Sequence, residues 1–223
     1  MLRVTDVVRH LLIINVLMFL GTQLLGEPSP EEMFDLINER TVDFNAWKRL
    51  MLAMFFPGSE YFRPFQIVTH MFMHDGFMHL FFNMFALYMF GPPIEAMWGS
   101  RRFLFYYLFV GFGAAALHLF VTYLEIQYGG VSPYRFNVPM LGASGAVFGL
   151  LAAFGMLFPN NVLQLLFPPI ALKAKYFVLI YAGLELFMGL SRFNSGVAHF
   201  AHLGGALFGF LLILYWKKFG SKL

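Results

Sequence analysis

The chain reads as an all-α membrane protein, a single bundle of six transmembrane helices, and three observations point there. Of its 223 residues, 59% are hydrophobic and only 12% charged, against roughly 25% charged in soluble domains. Apolar runs recur along the whole length, and at about 20 residues per crossing they divide into six. Lys and Arg gather on alternate connections, as the positive-inside rule requires of a polytopic protein. The expected spans are residues 9–26, 76–97, 103–124, 142–158, 171–190 and 197–216, with a long first outer loop at 27–75. One bundle accounts for residues 1–223 without a second domain.

The first span resembles a signal peptide in length, but no small-residue cleavage site follows it. Leu24-Leu25-Gly26 runs directly into an acidic loop, so the span reads as a retained anchor. The loop opens with the acidic EPSPEEMFDLINERTVDFNAW. It continues with KRLMLAMFFPGSEYF, where basic residues mix with aromatic and Met side chains in the manner of a segment lying in the interface or re-entering partway. The second span follows His70 and His74 and carries His79 and Asn83. The fourth is short, about 17 residues, so its outer end is expected to start below the surface, at Ser144. The fifth holds Glu185, and the sixth opens VAHFAHLGGALFGF with His199 and His202. No repeats or low-complexity tracts stand out.

With the N-terminus cytoplasmic, that side holds Arg3, Arg9, Arg101, Arg102, Lys173, Lys175, Lys217, Lys218 and Lys222, opposed only by Asp6 and Glu95. On the other side acidic residues outnumber basic ones, so both termini are expected in the cytoplasm. The net charge of +3 is the sum of two unlike faces and implies no nucleic-acid partner. The absence of cysteine excludes disulfides, thiolate metal sites and a cysteine nucleophile. Without a transit-like segment, the expected location is a bacterial plasma membrane.

Polar groups within spans are costly and point to function. His79 and Asn83 lie four apart on one helix face. The second, fourth and sixth spans all enter from outside, which sets His79, Asn83, Ser144 and His202 at a similar depth, about 10 Å below the outer surface. Gly145 and Gly149 beside the serine, and Gly205 and Gly209 after His202, form small-xxx-small faces on which backbones pack closely. A serine needs a base, for which His202 is suited. An oxyanion needs fixed donors, for which His79, Asn83 and the amides starting the Ser144 helix are suited. No Asp or Glu is expected in the layer, so the reading is a Ser–His dyad. The plainer alternatives are an N-cap role for Ser144, a structural polar pair at His79 and Asn83, and a structural His199. Glu185 receives no role.

GASG at 142–145, HxxxN at 79–83 within HDGFMHLFFNMFALYMFG, and AHLGGALFG at 201–209 together resemble the rhomboid intramembrane serine proteases. The resemblance covers all six helices in order. It implies a rhomboid-like bundle with Ser144 as nucleophile, His202 as general base, His79 and Asn83 as oxyanion donors, and Gly205 and Gly209 letting the sixth helix approach the fourth. It also implies a water-filled cavity open to the outside, a first loop lying sideways in the outer leaflet, and transmembrane proteins in the lipid bilayer as substrates. No cofactor or metal is expected. Two positions depart from the pattern: Phe65-Gln66 stands where a Trp-Arg pair is frequent, and Phe148 where some members have Tyr. Ala146 at the fifth position also separates GASG from the GxSxG elbow. Among the alternatives, a metalloprotease is disfavoured because HExxH is missing. A non-catalytic rhomboid-like binder of transmembrane segments is expected to lack the serine or the histidine, and a transporter using Glu185 lacks an evident internal repeat. Residues 191–199 are expected to cap the site, with substrate arriving between the second and fifth helices.

Overall fold

The computed structural model describes residues 4–25, 50–165, 169–191 and 198–220. Six long helices follow in order: α1 (Asp6–Gln23), α2 (Phe77–Trp98), α3 (Ser100–Tyr128), α4 (Ser144–Leu157), α5 (Ala174–Leu190) and α6 (His199–Phe219). Each overlies one expected span. α3 runs past its apolar stretch at both ends because Arg101, Arg102, Glu125 and Gln127 are good helix formers that need not sit in hydrocarbon. Among the described residues, four helices, α1, α2, α3 and α6, are long and apolar enough to cross a membrane. α4, with 14 residues, is shorter than a full crossing.

One segment departs from the all-helical expectation. Residues 171–173 do not begin the fifth helix; they form strand β2 (Ala171–Lys173), which pairs antiparallel with β1 (Val162–Gln164), Leu163 opposite Leu172. The apolar run there gives length without distinguishing helix from strand.

The acidic half of the first outer loop and residues 192–197 of the expected cap lie outside the described residues. From residue 50 onward the loop folds onto the bundle. Leu50, Ala53, Met54 and Phe55 are buried, and Met54 exchanges two 2.8 Å backbone hydrogen bonds with Met140, just ahead of α4. A helical turn at Gln66–Thr69 and a 3₁₀ turn at His70–Phe72 then lead into α2.

α6 packs against α3 and α4, α1 against α2, and α5 against α4 and α6. Phe103, Tyr106, Tyr107, Leu150 and Ile213 are fully buried between them. The outward faces remain apolar: Phe77, Phe82 and Phe85 on α2, and Leu179, Phe187 and Leu190 on α5, are exposed. Such faces are unfavourable in water and suit lipid. These helices form a membrane bundle.

At the end opposite the outer loop, Glu95 ties three helices together. Its carboxylate accepts from the backbone N–H groups of Val7 and Val8, each at 3.0 Å, from the Thr5 hydroxyl, and from Ser100 Oγ at 2.6 Å. A helix start leaves N–H groups without partners, and the dipole there favours a negative charge. Thr5 at the N-cap makes no side-chain cap bond, so the end of α2 caps α1 instead. Glu95→Ala is therefore expected to lower stability by about 2–4 kcal/mol, and Glu95→Gln by less. Denaturation midpoints in detergent measure this; an alanine variant as stable as the parent would show that water replaces the cap.

Candidate active site

α4 begins at Ser144 because the preceding turn is fixed from two sides. Gly142 has φ of +126°, in a region strained for any residue with a side chain. A Cβ there would also stand 2.9 Å from His79 Nε2 and 3.5 Å from Ser144 Oγ, too close to the imidazole for a methyl group, so the turn lies directly against both side chains. The Gly142 amide donates to the His70 carbonyl at 2.9 Å, fastening the turn to the outer loop. The N-cap position belongs to Ala143, and the Ser144 hydroxyl faces a histidine, not the helix amides, so the serine is not an N-cap. A cavity of about 20 Å³, bordered by His70, Gly142, Ser144, Gly145 and Ala201, opens beside it. That is room for one water molecule.

The partner is His202, whose Nε2 lies 2.8 Å from Ser144 Oγ. α6 reaches this close through glycines. A Cβ on Gly205 would overlap the Gly145 carbonyl, and one on Gly209 would meet Tyr106 Oη and come within 3.3 Å of Gly149 Cα. The Tyr106 hydroxyl donates to the Gly149 carbonyl at 2.7 Å, giving a buried phenol its acceptor. The His202 ring stacks on Phe148 with centroids 4.2 Å apart and planes at 6°. The stack continues to Tyr181 at 5.3 Å and from there to Phe177 at 5.7 Å. The phenyl ring at position 148 thus packs under the imidazole without a hydroxyl.

One expectation is overturned. A carboxylate does reach the layer: Glu185 Oε2 lies 3.1 Å from His202 Nδ1 and 2.6 Å from His199 Nδ1. α5 and α6 are sequence neighbours running antiparallel, so a residue five before the end of α5 meets one three after the start of α6. The 3.1 Å contact is close yet off the ring N–H direction, so it is not a linear hydrogen bond. His199 pairs with Glu185 and does not face the serine.

His79 Nδ1 accepts the Asp75 amide at 3.3 Å, which leaves the ring proton on Nε2, the nitrogen facing Gly142. Asn83 is buried, and its Nδ2 donates to the His79 carbonyl at 2.8 Å, leaving one more amide N–H. Ser144, His202 and the His79 ring therefore share one place, and Asn83 is tied to His79 a turn along α2.

Three supporting residues went unrecognised in the sequence. Gln66 is fully buried and bonds four backbone groups: it donates to the Met51 and Tyr61 carbonyls and accepts from the Arg63 and Phe55 amides. The departure at Phe65-Gln66 thus carries its own loop anchor, and a lone polar residue between Phe65 and Ile67-Val68 was the available signal. His70 bonds the Gln66 carbonyl through Nδ1 at 2.8 Å while its own carbonyl holds Gly142. Burial lowers its pKa. His74 falls to about 3, first through burial and second through the neighbouring His79 ring. Both imidazoles in the outer approach are therefore neutral at pH 7. Glu185 is the third.

Residues 61–219 match the Rhomboid domain. The chain belongs to the rhomboid family. Its relatives include Rhomboid protease GluP of Bacillus subtilis, 33% identical over 174 residues, covering 77% of this chain and 28% of that protein. Rhomboid protein 1, mitochondrial, of Saccharomyces cerevisiae is 31% identical over 176 residues, covering 79% and 49%. Presenilin-associated rhomboid-like protein, mitochondrial, of Homo sapiens is 33% identical over 159 residues, covering 66% and 38%. The chain spans less than half the length of each of these three relatives. This rhomboid's glycine contacts can be tested by adding bulk. Gly205→Val is expected to cost about 1–3 kcal/mol by forcing α6 off α4, whereas Gly183→Val on α5, with nothing within 4 Å of its Cβ position, should cost nothing comparable. Equal melting midpoints for the two variants in detergent would refute close packing as the reason for Gly205.

Proposed function

We propose that this rhomboid is an intramembrane serine endopeptidase that hydrolyses peptide bonds of transmembrane proteins near the outer membrane interface. The observation that carries this reading is His202 Nε2 at 2.8 Å from Ser144 Oγ, the distance expected of a nucleophile and its base. Ser144 Oγ attacks the scissile carbonyl carbon and its proton passes to His202 Nε2, while the carbonyl π pair moves to oxygen. The oxyanion is met by His79 Nε2–H, the remaining Asn83 amide N–H and the first-turn amides of α4. Collapse breaks the C–N bond, and the amine leaves with the proton from His202. A water molecule in the cavity beside Ser144 then gives a proton to His202 Nε2 and attacks the acyl carbon; collapse breaks the bond from that carbon to Ser144 Oγ, which takes the proton back from His202 as the acid leaves. Phe148 holds the imidazole plane through both steps.

Ser144→Ala and His202→Ala should each abolish cleavage of a transmembrane substrate and labelling of the purified protein by a fluorophosphonate. Combining them should cost little more, because the two act as a unit. Asn83→Ala should lower kcat by at most about 10²–10³-fold, the loss of one oxyanion donor, and His199→Ala should retain more activity than His202→Ala. Cleavage by Ser144→Ala would end this reading. A parent protein that binds transmembrane segments but neither labels nor cleaves would be the non-catalytic binder.

The same reading places the site on the outer side of a bacterial plasma membrane, with both termini cytoplasmic. The charge asymmetry supports this: Arg101, Arg102, Lys217 and Lys218 lie at one end of the bundle, away from Ser144. In this cysteine-free chain, cysteines placed at residues 2 and 222 should resist a membrane-impermeant thiol reagent in intact cells. One at residue 30 should react, and the opposite pattern would invert the orientation.

A further inference from the structure

The base proposed above has a carboxylate behind it, and three facts define the arrangement. Glu185 is 9% exposed, on a helix where only it and Ala174 are buried. A single oxygen, Oε2, faces both His199 Nδ1 at 2.6 Å and His202 Nδ1 at 3.1 Å. His202 Nε2 is turned the other way, toward Ser144. For Nε2 to take the serine proton it must carry the lone pair, so the ring proton must sit on Nδ1. A carboxylate oxygen at Nδ1 favours that tautomer over the other and compensates the positive charge that appears on the ring once the proton has moved.

The same three ligand atoms lie within 4.8 Å of one another, close enough to suggest a cation site. Their spacing argues otherwise. Ligand atoms at 2.0–2.1 Å around a tetrahedral metal stand about 3.3 Å apart, whereas Oε2 and His199 Nδ1 are 2.6 Å apart, a charge-assisted hydrogen-bond distance. His199 therefore holds the carboxylate, and the carboxylate faces the base.

We propose that Glu185 is a positioning residue for His202, and that His199 fastens it there, so that the dyad works with a buried carboxylate as its third member. This rests on the reading of Ser144 and His202 as nucleophile and base. The resting contact is off line; catalytic hydrogen bonds are often poorly aligned before substrate binds and tighten in the complex. Formation of the imidazolium strengthens the attraction at that point.

The test uses the full chain in detergent, with parent, Glu185→Gln and Glu185→Asp compared for substrate cleavage, fluorophosphonate labelling of Ser144 and melting midpoint. Glu185→Gln is expected to lower kcat and the labelling rate together by about 10- to 10³-fold with KM unchanged. That is less than the roughly 10⁴-fold lost when a well-aligned triad carboxylate is neutralised. Glu185→Asp, which keeps the charge, should recover part of the loss. A parent enzyme that labels and cleaves beside a Glu185→Gln variant with parental kcat overturns the positioning role while leaving the dyad standing. A glutamine variant that loses activity only in proportion to a lowered melting midpoint, with no recovery by aspartate, assigns Glu185 to structure and also overturns it. A parent protein that neither labels nor cleaves removes the dyad and this inference with it.

Discussion

Gly205 against the Gly145 carbonyl, and Gly209 against Gly149, bring the backbones of α6 and α4 into contact, and the rest of the site depends on that approach. Lipid offers no hydrophobic reward for helix association, so close van der Waals packing and interhelical hydrogen bonds must hold the pair. The Tyr106 hydroxyl on the Gly149 carbonyl is one such bond, made from α3, which packs against both helices. Side chains at these glycine positions would move α6 outward by more than the slack in a 2.8 Å contact between His202 and Ser144. Packing and the serine–histidine geometry are in this sense one constraint.

The serine is fixed from the other direction by the outer loop. Gln66 gathers four backbone groups of the loop, His70 binds the Gln66 carbonyl, the His70 carbonyl binds the Gly142 amide, and Gly142 sets the turn that starts α4. The Met54–Met140 bridge runs beside this chain of bonds. Gln66 and His70 are buried, where hydrogen bonds are strong and unmade ones costly. Burial also keeps His70 and His74 uncharged, so neither of these imidazoles repels a protonated His202.

Much of this was legible in the sequence because bilayer thickness turns composition into helix positions. Ser144, His79, Asn83 and His202 stood out as polar groups in apolar spans, and the glycine spacing said which helices meet. The strands at 162–164 and 171–173 were not legible, because an apolar run gives length without distinguishing helix from strand when prolines interrupt it. Gln66 was visible only as a departure from a pattern, since the bonds it makes depend on a loop path that no periodicity encodes. Glu185 stands deep in its span by sequence, and only the antiparallel course of α5 and α6 brings it to the histidines. Depth in a membrane depends on both ends of a span, and antiparallel neighbours bring the end of one to the start of the next.

That position has a consequence for α5. Most of this helix is turned outward, with Leu179, Leu184, Phe187 and Leu190 exposed, so little buried apolar area holds it. What joins it to its neighbours at the site is specific: Glu185 on the histidines of α6, and Tyr181 stacked on Phe148 of α4. Both contacts end on His202, one at the edge of the ring through Nδ1 and the other through the phenyl ring beneath it. Displacing the outer part of α5 would therefore separate a carboxylate from the imidazole and unstack the ring beneath it. The helix with the least buried surface is thus the one whose position the geometry of the base registers most directly.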